Sequence, residues 1–283
     1  MRNWLNNQTV ILTGASGGIG KQLCKILINK YGANVVGIGR SEEKMLALKE
    51  ELGDRACQFS YYLFDVSKRE NWQRFALGLS KENIAPTLLI NNAGAFPTFA
   101  KTLQTPSSTM EEIMQNNYFS VVYAVESLHA LLKPNGKCTP GIVNISSSAA
   151  LCSVVGTSAY SASKAALKGY TEALQLEEKA KKYIGIIYPG TTKTDLFRKD
   201  ENTKNSALDI VATSAEKMAK KIAKKIIKRK KRAVVGWDAK LMNITAKLMP
   251  VKGLFLIRGV MKGSKSKVFN NVFNEEVKKK DNV

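Results

Sequence analysis

The chain alternates short apolar runs with longer amphipathic stretches. Thr9–Thr13, Asn34–Ile38, Phe59–Phe64, Thr87–Ile90, Gly141–Ile145 and Tyr183–Tyr188 are the apolar runs, and most are rich in Val, Ile or Leu. Runs this short read as strands buried on both faces of a parallel sheet. Between them lie segments of helical character: from the Gly14–Gly20 loop to about Lys30, Ser41–Leu52, a helix opened by Ser67-Lys-Arg-Glu70, a long region from Thr109-Met-Glu-Glu112 to about Leu132, and Ser158–Ala180. Ser67 with Glu70, and Thr109 with Glu112, have capping-box spacing, which satisfies free N–H groups at a helix start. Thr213-Ser-Ala-Glu216 caps a very basic helix, and Ala233–Val235 is a candidate seventh strand. Strand, helix, strand at this spacing predicts right-handed βαβ units. The expected architecture is a doubly wound α/β fold, a parallel sheet of about seven strands flanked by helices. Residues 1–236 read as one domain, and residues 237–283 as a helical appendage.

Composition narrows this picture. A chain of 283 residues is long enough for one substantial core, and 44% hydrophobic content is ordinary for a globular protein. Cys24, Cys57, Cys138 and Cys152 are scattered without a CxxC pair. That argues against a disulfide framework or a zinc site and fits a reducing compartment. The N-terminus runs straight into a strand and lacks the apolar region and cleavage site of a signal peptide. No uninterrupted apolar stretch of about 18 residues occurs, so no spanning helix is predicted. A cytoplasmic location is expected.

Charge changes the reading of the C-terminal third. The formal net charge is +21, and residues 201–283 carry 21 Lys or Arg against 7 Asp or Glu. Ten of those bases fall in residues 217–232, which contain no acid. Met218, Ile222, Ile226 and Ile227 mark one apolar face of that helix. Beyond Trp237, Leu241, Ile244 and Leu248 recur at helical spacing. Pro250 interrupts, and Leu254, Ile257 and Met261 continue the pattern among Lys252, Arg258, Lys262, Lys265 and Lys267. Two readings stay open. The tail lies on an anionic membrane surface, as basic amphipathic helices with an edge Trp can. Alternatively, its apolar residues fold over the protein's own cleft as a lid. Both favour an apolar, lipid- or steroid-like substrate. Nucleic acid is the weaker partner for this charge, because the basic run lacks interleaved aromatics and no nucleic-acid module is present.

The candidate chemistry sits at the sheet's carboxyl edge. Tyr160 and Lys164 lie at i and i+4, which places phenol and ammonium one turn apart on one helix face. A free Tyr titrates near about 10, and a cation beside it stabilises the phenolate. Ser147 follows the strand Gly141–Ile145, where open α/β sheets place their ligands. Gly14, Gly18 and Gly20 lie between a strand and a helix, where glycine lets the backbone turn tightly and approach a pyrophosphate at the helix N-terminus. His129, the single histidine, reads as structural, and Trp72 and Phe75 as core residues.

These residues resemble the short-chain dehydrogenase/reductase family. Thr13-Gly-Ala-Ser-Gly-Gly-Ile-Gly20 matches its TGxxxGxG motif, Asn91-Asn-Ala-Gly94 its NNAG motif, and Tyr160 with Lys164 its YxxxK. Asn117 and Ser147 fall where the family has its active-site Asn and Ser, and Pro189-Gly190 with Thr194 matches PGxxxT. The resemblance covers about residues 7–200. It implies hydride transfer between a nicotinamide and a carbonyl or carbinol carbon. Tyr160 is the implied general acid or base, and Lys164 lowers its pKa and holds the nicotinamide ribose. Ser147 would donate to the reacting oxygen, and Asn117 would hold a proton-relay water. It further implies cofactor contacts from Gly14, Ser16, Gly17, Gly18, Ile19, Gly20, Asp65, Val66, Asn92, Ala93, Gly94, Tyr160, Lys164, Pro189, Gly190, Thr192 and Thr194.

Cofactor choice turns on the end of the second strand. Gly39-Arg40 stands there in place of the acid that would accept hydrogen bonds from a ribose 2′-OH. Arg40 can clamp a 2′-phosphate, so NADP(H) is favoured over NAD(H). The family's frequent basic residue in the glycine loop is replaced here by Gly17. The expected activity is interconversion of a ketone and a secondary alcohol, and a non-catalytic dinucleotide-binding sensor or scaffold is the alternative. The apolar faces of residues 118–132 and 158–176 suggest a homo-oligomer.

Overall fold

The computed structural model describes residues 3–136, 138–178, 181–194, 212–264 and 266–273. Seven strands form one sheet: β1 Thr9–Thr13, β2 Asn34–Gly39, β3 Phe59–Leu63, β4 Leu88–Asn91, β5 Gly141–Ile145, β6 Tyr183–Pro189 and β7 Arg232–Val235. All pair in parallel, in the order β3-β2-β1-β4-β5-β6-β7. The order reverses between β1 and β4, so a crevice opens beyond their carboxyl ends. A second, two-stranded pairing joins Thr192–Lys193 to Thr213–Ser214.

Alternate residues of each strand feed two cores, because successive side chains leave opposite faces of a strand. On β1, Val10 and Leu12 join α1 (Gly18–Tyr31), α2 (Glu42–Glu51) and a later helix, α7 (Ala215–Ile227). Ile11 faces the other way, toward α3 (Arg69–Lys81), α5 (Ser120–Leu128) and α6 (Ser158–Glu178). Trp72 and Phe75 are buried in this second core, as their periodicity predicts. His129 bonds Glu178 at 2.8 Å, joining the end of α5 to the end of α6, a structural role.

Several helix starts differ from the sequence expectation. Ser67 does not cap α3; Lys68 holds that position, and the Asp65 carboxylate takes the Ser67 N–H instead at 2.9 Å. An Asx turn thus competes successfully with the capping box. Thr109 is likewise inside α4 (Ser107–Met114), which begins just after Pro106 because proline sets the helical φ and needs no N–H partner. The helical run then passes through a π segment, Gln115–Phe119, into α5, which ends at Leu128 rather than near Leu132. Ser214, not Thr213, caps α7 by accepting the Lys217 N–H. The expected end of α6 at Ala180 lies outside the described residues, as does Lys265.

The basic helix α7 is settled against the protein itself. Met218, Ile222 and Ile226 are fully buried and pack against α1, while its lysines face outward. Its apolar face is therefore not free to enter a membrane, and the membrane reading of this helix falls. Two more helices follow, α8 (Trp237–Leu248) and α9 (Lys252–Gly263), then a short α10 (Asn270–Phe273). Ile222→Ala should lower stability by about 2–4 kcal/mol, the cost of a cavity in a packed core. Lys221→Gln on the exposed side should stay within about 0.5 kcal/mol. Urea unfolding of both variants checks this.

Candidate active site

The helix α6 carries Tyr160 and Lys164, and a chain of buried polar contacts fixes it to the sheet. Asn91 Nδ2 donates to Asn144 Oδ1 at 2.8 Å, and Asn144 Nδ2 donates to Thr171 Oγ1 at 2.9 Å. One strand pair and one helix are thereby locked in register. Nearer the reacting end, Ser146 Oγ donates to the Lys164 carbonyl at 3.1 Å, and Ser163 Oγ to the Tyr160 carbonyl at 2.8 Å. Buried polar groups carry such partners because leaving them unpaired is costly.

Lys164 is only 4% exposed, and its ammonium donates to the Ile145 carbonyl at 3.3 Å. Burial pushes its pKa down to about 8. Burial pushes the Tyr160 phenol up, and the Ser147 hydroxyl bonded to it works in the other direction. Lys164 Nζ lies 5.9 Å from the centre of the Tyr160 ring. Ser147 Oγ accepts the Ala149 N–H at 3.2 Å, so its own proton is available to donate. Asn117 sits fully buried in the π segment. Its Oδ1 accepts the Ala95 N–H at 2.7 Å, and its Nδ2 donates to the Ala95 carbonyl and to Ser163 Oγ. The side chain therefore pins the 93–96 loop to α6. A Cβ on Gly94 would lie 3.0 Å from Asn117 Oδ1 and 3.3 Å from Lys164 Nζ, so this glycine permits their approach.

The glycine loop is built as a cradle. Gly14 and Gly18 have φ of 65° and 48°, which side-chain-bearing residues rarely adopt. A Cβ on Gly20 would meet the Gly14 carbonyl at 2.0 Å, so α1 can rise from the loop only with glycine there. Over Gly17 there is open space. Thr13 Oγ1 accepts the N–H groups of Asn92 and Ala93, both at 2.9 Å, which joins this loop to the end of β4. At the end of β2, a Cβ on Gly39 would meet the terminal methyl of Met45 at 2.6 Å, so a side chain there would require Met45 to shift. Asp65 lies nearby. Burial raises its pKa, but the Ser67 amide and hydroxyl and the charges of Arg40 and Lys68 outweigh this and hold it low.

Most of the predicted site residues border one cleft of about 700 Å³. Of the predicted residues, Gly14, Ser16, Gly17, Gly18, Ile19, Arg40, Asp65, Val66, Asn92, Ala93, Gly94, Ser147, Tyr160, Lys164, Pro189, Gly190, Thr192 and Thr194 line it. Gly20 and Asn117 do not; both act from behind its wall. The cradle, the open space over Gly17 and the basic end at Arg40 fit an extended dinucleotide running from β2 to Tyr160.

Sequence reasoning missed three parts of the site. Lys44, in the first turn of α2, lines the cleft together with Arg40. Phe96, Phe99 and Phe269 pack with Tyr160 into an apolar cluster at the reacting end, with ring centres 4.9 to 5.2 Å apart. Asp238, in the first turn of α8, is buried and accepts the Thr191 N–H at 2.6 Å. Its carboxylate lies against Gly190, where a Cβ would meet it at 2.1 Å. It joins the Pro189–Thr194 loop to the start of α8, and no local motif announces it.

Fold and site together define a nicotinamide-dinucleotide-dependent oxidoreductase. The family model described as short chain dehydrogenase matches residues 8–205. The chain belongs to the short-chain dehydrogenase/reductase family and is an NAD(P)-dependent enzyme acting between ketone and alcohol. Over 256 residues it is 28% identical to a Bos taurus 3-ketodihydrosphingosine reductase, covering 87% of this chain and 76% of that protein. It is 27% identical to an Arabidopsis thaliana NADPH-dependent pterin aldehyde reductase, over 67% of this chain and 77% of the relative. A Shigella flexneri short chain dehydrogenase crystallised with NADP superposes with a TM-score of 0.71 at 22% identity, covering 83% of this chain and 99% of that one.

Burial of Lys164 has a measurable consequence. The unfolded chain keeps this amine protonated to about pH 10.5, the folded protein only to about pH 8. Between those values the unfolded state binds more protons, so stability rises with pH. The burial penalty is full below about pH 8 and fades toward about pH 10.5. A Lys164→Met variant carries no such penalty. It should be more stable than wild type at about pH 7, with the gap closing by about pH 10. Urea midpoints at the two pH values check this; a constant gap would contradict it.

Proposed function

We propose that this protein reduces the ketone of an apolar, lipid-like substrate with NADPH, and meets that substrate at an anionic membrane surface. The observation that carries the reading is the junction of two chemistries in one cleft. Its inner wall is the phenol, hydroxyl and ammonium set of Tyr160, Ser147 and Lys164. Its outer wall is apolar, built from Phe96, Phe99, Phe269, Leu241 and Met242. A long hydrocarbon placed there would leave its carbonyl at Tyr160 and its chain under α8 and α9. The similarity to a 3-ketodihydrosphingosine reductase supports a lipid-like ketone over a polar pterin aldehyde. In this reading residues 1–236 are the catalytic unit and residues 237–283 an appendage that covers its cleft. Exposed Phe119, at the end of the π segment that leads into α5, and Leu176, on α6, support pairing with a second copy. The scattered free cysteines suit a reducing, cytoplasm-like compartment.

A nicotinamide dinucleotide supplies the hydride when bound. Tyr160 delivers the proton to the developing alkoxide, and Ser147 donates a hydrogen bond to that oxygen, where negative charge builds. Lys164 favours the phenolate by its charge. Asn117 holds the loop and the helix that position both, and would hold the relay water as well. Arg40 and Lys44 would hold a 2′-phosphate, with the α2 N-terminus behind them.

Tyr160→Phe should abolish ketone reduction while NADPH still binds within about threefold, because only the transferable proton is lost. Near-normal turnover by this variant would end the assignment. Arg40→Ala should weaken NADPH by about tenfold or more, the usual worth of a charge-assisted contact, and leave NADH within about twofold. A wild-type enzyme with the higher kcat/KM for NADH would overturn the cofactor preference.

A further inference from the structure

The helices α8 and α9 are a poor fit to water. Exposed along α8 are Trp237, Leu241, Ile244 and Leu248, separated by four, three and four residues, which is one continuous stripe. The turn and α9 add Met249, Val251, Leu254, Phe255, Leu256 and Val260. Leu248, Val251, Phe255 and Val260 are 65 to 77% exposed. Among the residues of α9, only Gly253 is buried, where it lets the helix close onto Thr245 of α8. Helices in proteins are held mainly by packing of an apolar face. Here that face has little of its own protein against it. Contiguous apolar surface of this kind marks a binding surface.

The charge around the stripe has one sign. Between Ala239 and Phe273 the chain has seven Lys or Arg and no Asp or Glu. Lys240, Lys247, Lys252, Arg258 and Lys262 are exposed around the two helices. An apolar face ringed only by cations complements an anionic bilayer, with side chains in the acyl boundary and ammonium groups among the headgroups. The basic helix α7 contributes charge only, since its apolar side is buried. The same hairpin also walls the cleft. Leu241, Met242, Thr245, Leu256, Ile257 and Val260 line it from the side of α8 and α9.

We propose that the α8–α9 hairpin is a membrane-docking surface whose apolar outer side seats in an anionic bilayer and whose inner side opens the cleft to lipid. This rests on the lipid-ketone reading for the identity of the cargo, but docking itself needs no turnover. Substrate would pass along Leu241, Leu256 and Val260, which belong to both surfaces, without crossing water.

The test is sedimentation of the full chain with vesicles of phosphatidylcholine, with and without about 30% phosphatidylserine, at low and high salt. Wild type should bind the anionic vesicles, and weaken with salt as screening predicts. A triple variant, Leu248→Glu, Val251→Glu and Phe255→Glu, should lose on the order of tenfold or more in binding. None of these three lines the cleft, so NADPH binding and the melting temperature should be unchanged and will verify folding. A second variant, Lys240→Gln, Lys247→Gln and Lys252→Gln, keeps the apolar stripe and should lose the preference for anionic vesicles. Wild type that ignores anionic vesicles at low salt overturns the proposal. So does a triple Glu variant that binds as wild type does. A wild-type dimer that becomes a monomer in the triple variant would assign this face to a second copy, which overturns the proposal as well. Loss of docking with intact NADPH-dependent reduction, or the reverse, separates this surface from the reaction assigned to Tyr160.

Discussion

The site depends on keeping an ammonium out of water. Lys164 is buried, and burial opposes its charge, as it opposes the charge of the Tyr160 phenolate. Left alone, each group would favour its neutral form, and the helix would gain by turning both toward solvent. The polar links from β4 through Asn144 to Thr171, and from Ser146 to the Lys164 carbonyl, remove that option. They fix α6 by its backbone and its far side, and leave the Tyr160 and Lys164 side chains free to serve the cleft. Stability is given up at one point of the core and recovered in the packing around it, a common arrangement where a site needs a perturbed group.

The same economy shapes the cofactor side. At the glycine loop it is backbone that borders the cleft, in conformations that only glycine adopts easily. Its position is then fixed from outside by Thr13 and Asn92. At the other end, Gly39 packs closely under the side chains of Met45 and Ser16. Arg40 and Lys44 line that end of the cleft, and the charge of Arg40 also acts on the nearby Asp65 carboxylate.

What could be read in the sequence was what is local. The six strands, the glycine loop, the Tyr160–Lys164 spacing and Ser147 after β5 depend on neighbours in the chain, and each appears where its pattern places it. Helix starts were harder, because several residues compete for the same N–H groups. Asp65 wins over Ser67, and Pro106 fixes a start two residues ahead of Thr109. The π segment around Asn117 has no period to read. Asp238, Phe99 and Phe269 enter the site only through tertiary packing, from segments that carry no motif. The basic run at 217–232 misled for a related reason. Its amphipathic pattern is the same for a helix that lies on a membrane and for one that lies on α1.

That ambiguity is resolved by comparing two neighbouring segments of similar composition. Both α7 and the α8–α9 hairpin alternate apolar residues with Lys and Arg. The apolar face of α7 is consumed by the core, with Met218, Ile222 and Ile226 fully buried. Its lysines are what a packed surface helix presents to water. The hairpin has the reverse arrangement: most of its aliphatic and aromatic side chains face outward, and its buried contacts are few, among them Ala239 and Gly253. Asp238 anchors its first turn to Thr191 in the Pro189–Thr194 loop, so the hairpin begins at the wall of the cleft and extends away from it. An element fixed at one end to the reaction site and apolar on both sides is suited to conduct an apolar molecule. Charge alone does not distinguish the two segments; the fate of the apolar face does.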